Sequence, residues 1–240
     1  MPRVFALLQS AVLLLALAGW SRGEQIIAVP PGPGNAGTFY PLLIVKEGFR
    51  SMRYQQVYAA DAFAALAPTS VYLTQIDFWL HPWSSPQGAS YPTDLQMRLS
   101  TTAKGPDALS LNFAENIGPD EILVFQVSGQ EIFMEKGQPI AFIFPKPFLY
   151  TPAQGNLLLD VRIGVSSYVD PNDYELLAND SPTDSVSRVY AMAASATQAT
   201  ASDTVGLNTT FHFNPVPSLQ SEFHRVYAGT LSNDQADRQS

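Results

Sequence analysis

Apolar and polar residues trade places with a period of two through the middle of this chain. Residues 94–101 read DLQMRLST, with Leu95, Met97 and Leu99 pointing one way and Asp94, Gln96, Arg98 and Ser100 the other. Residues 157–163 (LLLDVRI) put Leu157, Leu159, Val161 and Ile163 on one side and Leu158, Asp160 and Arg162 on the outward side. Residues 70–80 (SVYLTQIDFWL) place Tyr72, Thr74, Ile76, Phe78 and Leu80 on a mostly apolar face, and Gln75, Asp77 and Trp79 on a polar one. Such alternation belongs to strands with one covered face and one wet face. Residues 121–128 (EILVFQVS) and 140–144 (IAFIF) are apolar on both parities, which predicts central strands covered on both sides. Further runs at 26–29, 55–59, 188–193 and 209–213 bring the total to about nine strands. Turn clusters separate them, among them SSPQG (84–88), KGPD (104–107), IGPD (117–120) and DPND (170–173). The best helical stretch, 59–66, is short and alanine-rich. The expected fold is all-β: an antiparallel two-sheet β-sandwich of jelly-roll-like topology.

The ends of the chain read differently. Arg3 precedes an apolar stretch from Val4 to Ala18, followed by small residues with candidate cleavage triplets at 16–18 and 21–23. That layout predicts a secretory signal peptide over 1–23 and leaves no membrane span once it is cleaved. The apolar run is short of the ~20 residues a spanning helix needs, and retention as an anchor is the competing reading. Residues 24–53 then read as an N-terminal strand and a Pro/Gly-rich linker or irregular wrap, and 54–220 as the sandwich. Residues 191–205, rich in alanine, serine and threonine, suggest a poorly packed edge, and 221–240 a polar, flexible tail.

Composition sharpens this picture. Hydrophobic residues make up 46% of the 240, enough for a real core, and charged residues only 14%. Cysteine is absent, which removes disulfides, thiolate metal sites and thiol nucleophiles together. The formal charge of −8 becomes −10 without Arg3 and Arg22, and such a surface repels phosphate backbones, so nucleic acid is not an expected partner.

The stretches YQQVYAADAF (54–63), LTQIDFWL (73–80), YPTDLQMRLSTT (91–102), LSLNFAENIGPD (109–120) and PFLYTPAQGNLLLDVRI (147–163) cover about half of the chain. Through them the chain resembles a family of small, uncharacterised secreted bacterial proteins that commonly carry a C-terminal sorting signal of the PEP-CTERM type. The resemblance implies a secreted β-sandwich and supplies no catalytic residues. The sorting tail itself has no counterpart: Pro215-Val216-Pro217 is followed by polar sequence. Plain secretion is therefore expected over anchoring by that route.

Candidate chemistry is sparse. Trp79 stands on the polar face beside Gln75 and Asp77, and Trp83 and Tyr91 flank the next loop. Flat aromatics beside amides and carboxylates suit sugar rings, so these five residues form a candidate glycan-binding set; ordinary packing under a loop is the alternative. Arg98, Asp160 and Arg162, with Asp94 and Gln96, read as a structural charge ladder between neighbouring strands. Asp170, Asn172 and Asp173 supply the oxygens calcium prefers, but without an EF-hand's spacing. The histidines His81, His212 and His224 lack zinc-ligand spacing. No nucleophile elbow or phosphate loop is present, and Asn208-Thr209-Thr210 is a formal glycosylation sequon. No cofactor is expected. The leading expectation is a secreted, non-catalytic extracellular or cell-surface matrix protein with a structural or interaction role, whose partner would be a glycan or extracellular matrix. A carbohydrate-binding module comes second, and a polysaccharide-degrading enzyme third.

Overall fold

The computed structural model describes residues 23–43, 49–85, 89–165, 174–181, 183 and 185–217. All of the expected signal peptide but Gly23, the tail from 221, His224 and the acidic loop with Asp170, Asn172 and Asp173 lie outside the described residues. Of Ala89 to Pro92 only the backbone is described.

Every one of the nine expected strands is present. They are β1 (Gln25–Val29), β3 (Ser51–Tyr58), β4 (Val71–Phe78), β5 (Ala89–Thr102), β6 (Ile122–Met134), β7 (Ile140–Tyr150), β8 (Asn156–Val165), β10 (Val186–Ala191) and β13 (Thr209–Pro215). Four short strands join them: β2 (Ala36–Thr38), β9 (Leu176–Asp180), β11 (Ala201–Asp203) and β12 (Val205–Leu207). All pairings are antiparallel. A four-stranded sheet runs β1-β13-β4-β7, a six-stranded sheet β11-β10-β3-β8-β5-β6, and a small third sheet β12-β9-β2. The fold is an all-β antiparallel sandwich. The alanine-rich stretch forms a 3-10 helix, Ala60–Leu66, that buries Phe63 and Leu66.

The core lies between the two large sheets. Leu95, Met97 and Leu99 of β5 are buried, as are Leu157, Leu159, Val161 and Ile163 of β8. Against them the four-stranded sheet presents Leu73, Ile76, Phe78, Phe142, Phe148, Phe211 and Phe213. Phe63 meets Phe211 edge-on at 5.1 Å and Tyr150 at 5.4 Å.

Three expectations need correction. First, β6 and β7 are not central: each ends its sheet. On β7 the second parity, Ala141, Ile143 and Leu149, is apolar yet exposed, and only the first packs inward, at the sandwich's flank. Phe125 and Phe142 close that side at 5.3 Å, while Phe133 and Ile143 stay exposed. Pro145 and Pro147 fit an edge strand, which has no second neighbour to receive an N–H. Second, the biased stretch 191–205 is packed, not loose. With residues 103–118 it covers the outer face of β3 and β8. Phe113, Val189, Ala191 and Ala199 form a small second core there, and short side chains let the two layers approach closely. Leu158 and Asp160 point away from the main core yet are buried beneath this cover. Third, residues 24–43 and 49–53 are built into the sandwich, not strung before it as a linker. β1 pairs with β13, and β2 with β9. Residues 30–41 therefore follow the wrap reading, and β3 begins at Ser51.

Candidate functional site

The outer face of the four-stranded sheet is set by a bulge in β4. Strict alternation would put Tyr72 and Thr74 inside with Ile76. Instead Phe213 pairs with Leu73 and His212 with Gln75, so Thr74 is the extra residue. Its hydroxyl donates to the His212 carbonyl at 3.1 Å. Val71 and Leu73 point inward before the bulge, and Ile76 and Phe78 after it. Tyr72 and Thr74 are thus only half-buried and leave the apolar face. Gln75, Asp77 and Trp79 share the outer face, in the register the sequence suggests.

Partners for these three come from β13. The run TTFHFNP buries Phe211 and Phe213, so Thr210 and His212 stand on the outside, opposite Asp77 and Gln75 respectively. Gln75 Nε2 donates to Asp77 Oδ1 at 2.7 Å. His212 Nε2 lies 2.8 Å from Asp77 Oδ2, and its Nδ1 lies 3.3 Å from Glu24 Oε1. Trp79 Nε1 donates to Thr210 Oγ1 at 3.1 Å. Asp77 is buried at 4% exposure, whereas Glu24 is half exposed. The result is a continuous polar strip, Glu24–His212–Asp77–Gln75, beside an indole fixed by its own N–H. Two exposed isoleucines bound it: Ile26 pairs with His212 on one side, and Ile143 with Gln75 on the other. His212, Thr210 and Glu24 were not singled out as site residues from the sequence, although the period-two pattern of 209–213 places the first two on one face.

The other candidate aromatics sit elsewhere. Trp83 is 87% exposed on a turn beyond the end of β4. Its ring lies edge-on to His81 at 4.8 Å, and its backbone N–H donates to His81 Nδ1. The turn is held against β9 by Ser84, whose hydroxyl donates to the Glu175 carbonyl. Tyr91 belongs to β5 in the opposite sheet, where it pairs with Ile132. The chain crosses between sheets after Trp83, so Tyr91 does not join Trp79 on one strand face.

The charge ladder forms between β5 and β8 with a changed partner. Arg98 stands opposite Asp160 and Gln96 opposite Arg162. Asp160, however, pairs with Arg53 at 2.6 Å and accepts from Gln55 Nε2 at 2.7 Å. The Arg53 guanidinium also covers the Phe113 ring at 4.5 Å and donates to the Ala196 carbonyl. Arg98 turns to Glu121 at 3.6 Å. The Arg53–Asp160 centre is fully partnered and ties the covering layer to the sheet. The sequon asparagine Asn208 is buried, with Nδ2 directed at the Pro30 and Gly32 carbonyls. Among the described residues no three His, Asp or Glu side chains converge as a metal site, and no helix is long and apolar enough to cross a membrane.

Fold and site together define the class: an antiparallel β-sandwich with an open sheet face carrying one oriented indole and a hydrogen-bonded polar strip. No protein-family model matches the chain, and no curated protein or solved structure matches it either.

Proposed function

We propose that this protein is a secreted, non-catalytic interaction module of the extracellular space or cell surface, and that the outer face of its four-stranded sheet contacts a glycan. The carrying observation is the strip itself. Trp79 is held by Thr210 beside Gln75, Asp77 and His212 on a face open between Ile26 and Ile143. A sugar ring can lay its C–H groups on the indole while its hydroxyls reach the half-buried Gln75 amide and the half-exposed Glu24 carboxylate at the end of the strip. The leader-like N-terminus and the resemblance to secreted bacterial sandwich proteins support export. A hydrolytic role has less support. Glycoside cleavage takes two carboxyls facing each other across the scissile bond, and Asp77 is already held by Gln75 and His212.

A screen of the secreted protein against neutral polysaccharides and a glycan array tests this reading. Binding is expected, and Trp79→Ala is expected to weaken it about tenfold. An empty screen, or binding unchanged in that variant, sinks the glycan assignment and leaves a structural role.

A further inference from the structure

The six-stranded sheet carries a second concavity, on the opposite side of the molecule from Trp79. Where the covering layer ends, a groove of about 500 Å³ opens over β5, β6 and β8. One row of paired positions crosses its floor: Gln126 of β6, Gln96 of β5 and Arg162 of β8. Asp94 and Ser128 border that row, and Ala194 and Ser195 form the wall from the cover. The groove exists because its neighbours are small. Gly164 has no side chain, and a Cβ there would meet only the Asp94 Cβ at 3.8 Å.

The donors in this row are unspent. Arg162 Nε is buried and has no hydrogen-bond partner. Its nearest carboxylate oxygen is Asp160 Oδ1 at 4.0 Å, and Arg53 and Gln55 already hold Asp160. Among the described residues neither Gln96 nor Gln126 makes a side-chain hydrogen bond. Asp94, by contrast, is occupied at its Oδ1 by the Ser128 hydroxyl at 2.5 Å and the Gly129 N–H at 2.9 Å. An arginine whose Nε meets no acceptor within hydrogen-bond distance, next to two free amides, suits a ligand that brings one carboxylate and several hydroxyls.

We infer that this groove binds an acidic monosaccharide unit, with its carboxylate on Arg162 and its hydroxyls on Gln96 and Gln126. The overall charge of −8 favours a single acidic sugar over a polyanion. The site is separate from the indole face and stands or falls independently of it.

Titration calorimetry of the secreted protein with glucuronic acid, glucose and acetate tests the inference. Glucuronic acid is expected to bind and the other two to bind much more weakly. Arg162→Gln is expected to weaken glucuronic acid binding at least about tenfold. Arg162→Lys keeps the charge without the planar fork and is expected to restore only part of it. Gly164→Val fills the groove and is expected to abolish binding, whereas Trp79→Ala leaves it unchanged. Acetate binding as tightly as glucuronic acid would reduce the site to an anion contact and overturn the assignment. So would absence of glucuronic acid binding, an unaffected Arg162→Gln, or a loss caused by Trp79→Ala.

Discussion

Asp160 and Glu121 are both carboxylates facing an arginine, and their surroundings set very different values on them. Asp160 is 2% exposed and serves Arg53, itself buried at 7%. Glu121 meets Arg98 with both side chains nearly a third exposed. Removing one partner of a buried pair strands the other charge out of water and costs about 3–5 kcal/mol, whereas an exposed pair contributes about 0–1 kcal/mol. Asp160→Ala is therefore expected to lower unfolding stability by several kcal/mol in a urea titration, and Glu121→Ala to fall within ~1 kcal/mol of the parent. A small effect at Asp160 would mean that water reaches Arg53 through the cover. At this scale the sequence revealed which side chains leave the core but not what they meet. Gln75, Asp77 and Trp79 were legible as outward residues. His212 and Glu24 join them through pairing across more than 130 residues, which a local pattern does not encode.

At the scale of elements, nine strands were legible, some from alternation and two (β6 and β7) from unbroken apolar runs. β2, β11 and β12, at three residues each, are too short for any period to emerge. The bulge at Thr74 hid the inner face of β4, since one inserted residue reverses parity on either side of it. β6 and β7 show the converse problem: an apolar run reads alike at a sheet's centre and at a sandwich's flank. The cover over β3 and β8 depends on a different local device. Gly118 lies so close to β5 that a Cβ would stand 1.7 Å from the Thr101 carbonyl oxygen. Its N–H donates to the Ser100 hydroxyl oxygen at 3.1 Å. Gly118→Ala is expected to push the cover off β5 and cost about 1–3 kcal/mol or more, with faster amide exchange in 103–118. A thermal midpoint and exchange pattern equal to the parent's would contradict that account.

For the whole molecule, the core's chemistry gives a pH signature. Burial pushes the phenols of Tyr54, Tyr58 and Tyr150 above their ordinary value. All three are protonated in both folded and unfolded chains below pH ~10, so stability there is indifferent to them. Above ~10 the unfolded chain releases these protons first, and stability falls as the pH climbs toward the folded-state values. Absorbance titration is expected to show three tyrosines ionising only as the chain unfolds, in a single cooperative step. Their smooth titration in a still-folded protein would place water inside the core. The pairing of β1 with β13 has a further result for a chain made amino end first. β4 has no neighbour on its β13 side, and β1 has none at all, until the residues near 209–215 have been made. The four-stranded sheet stays open on that side for nearly the whole length of the chain, and its late-coming strand is what locks the sandwich shut.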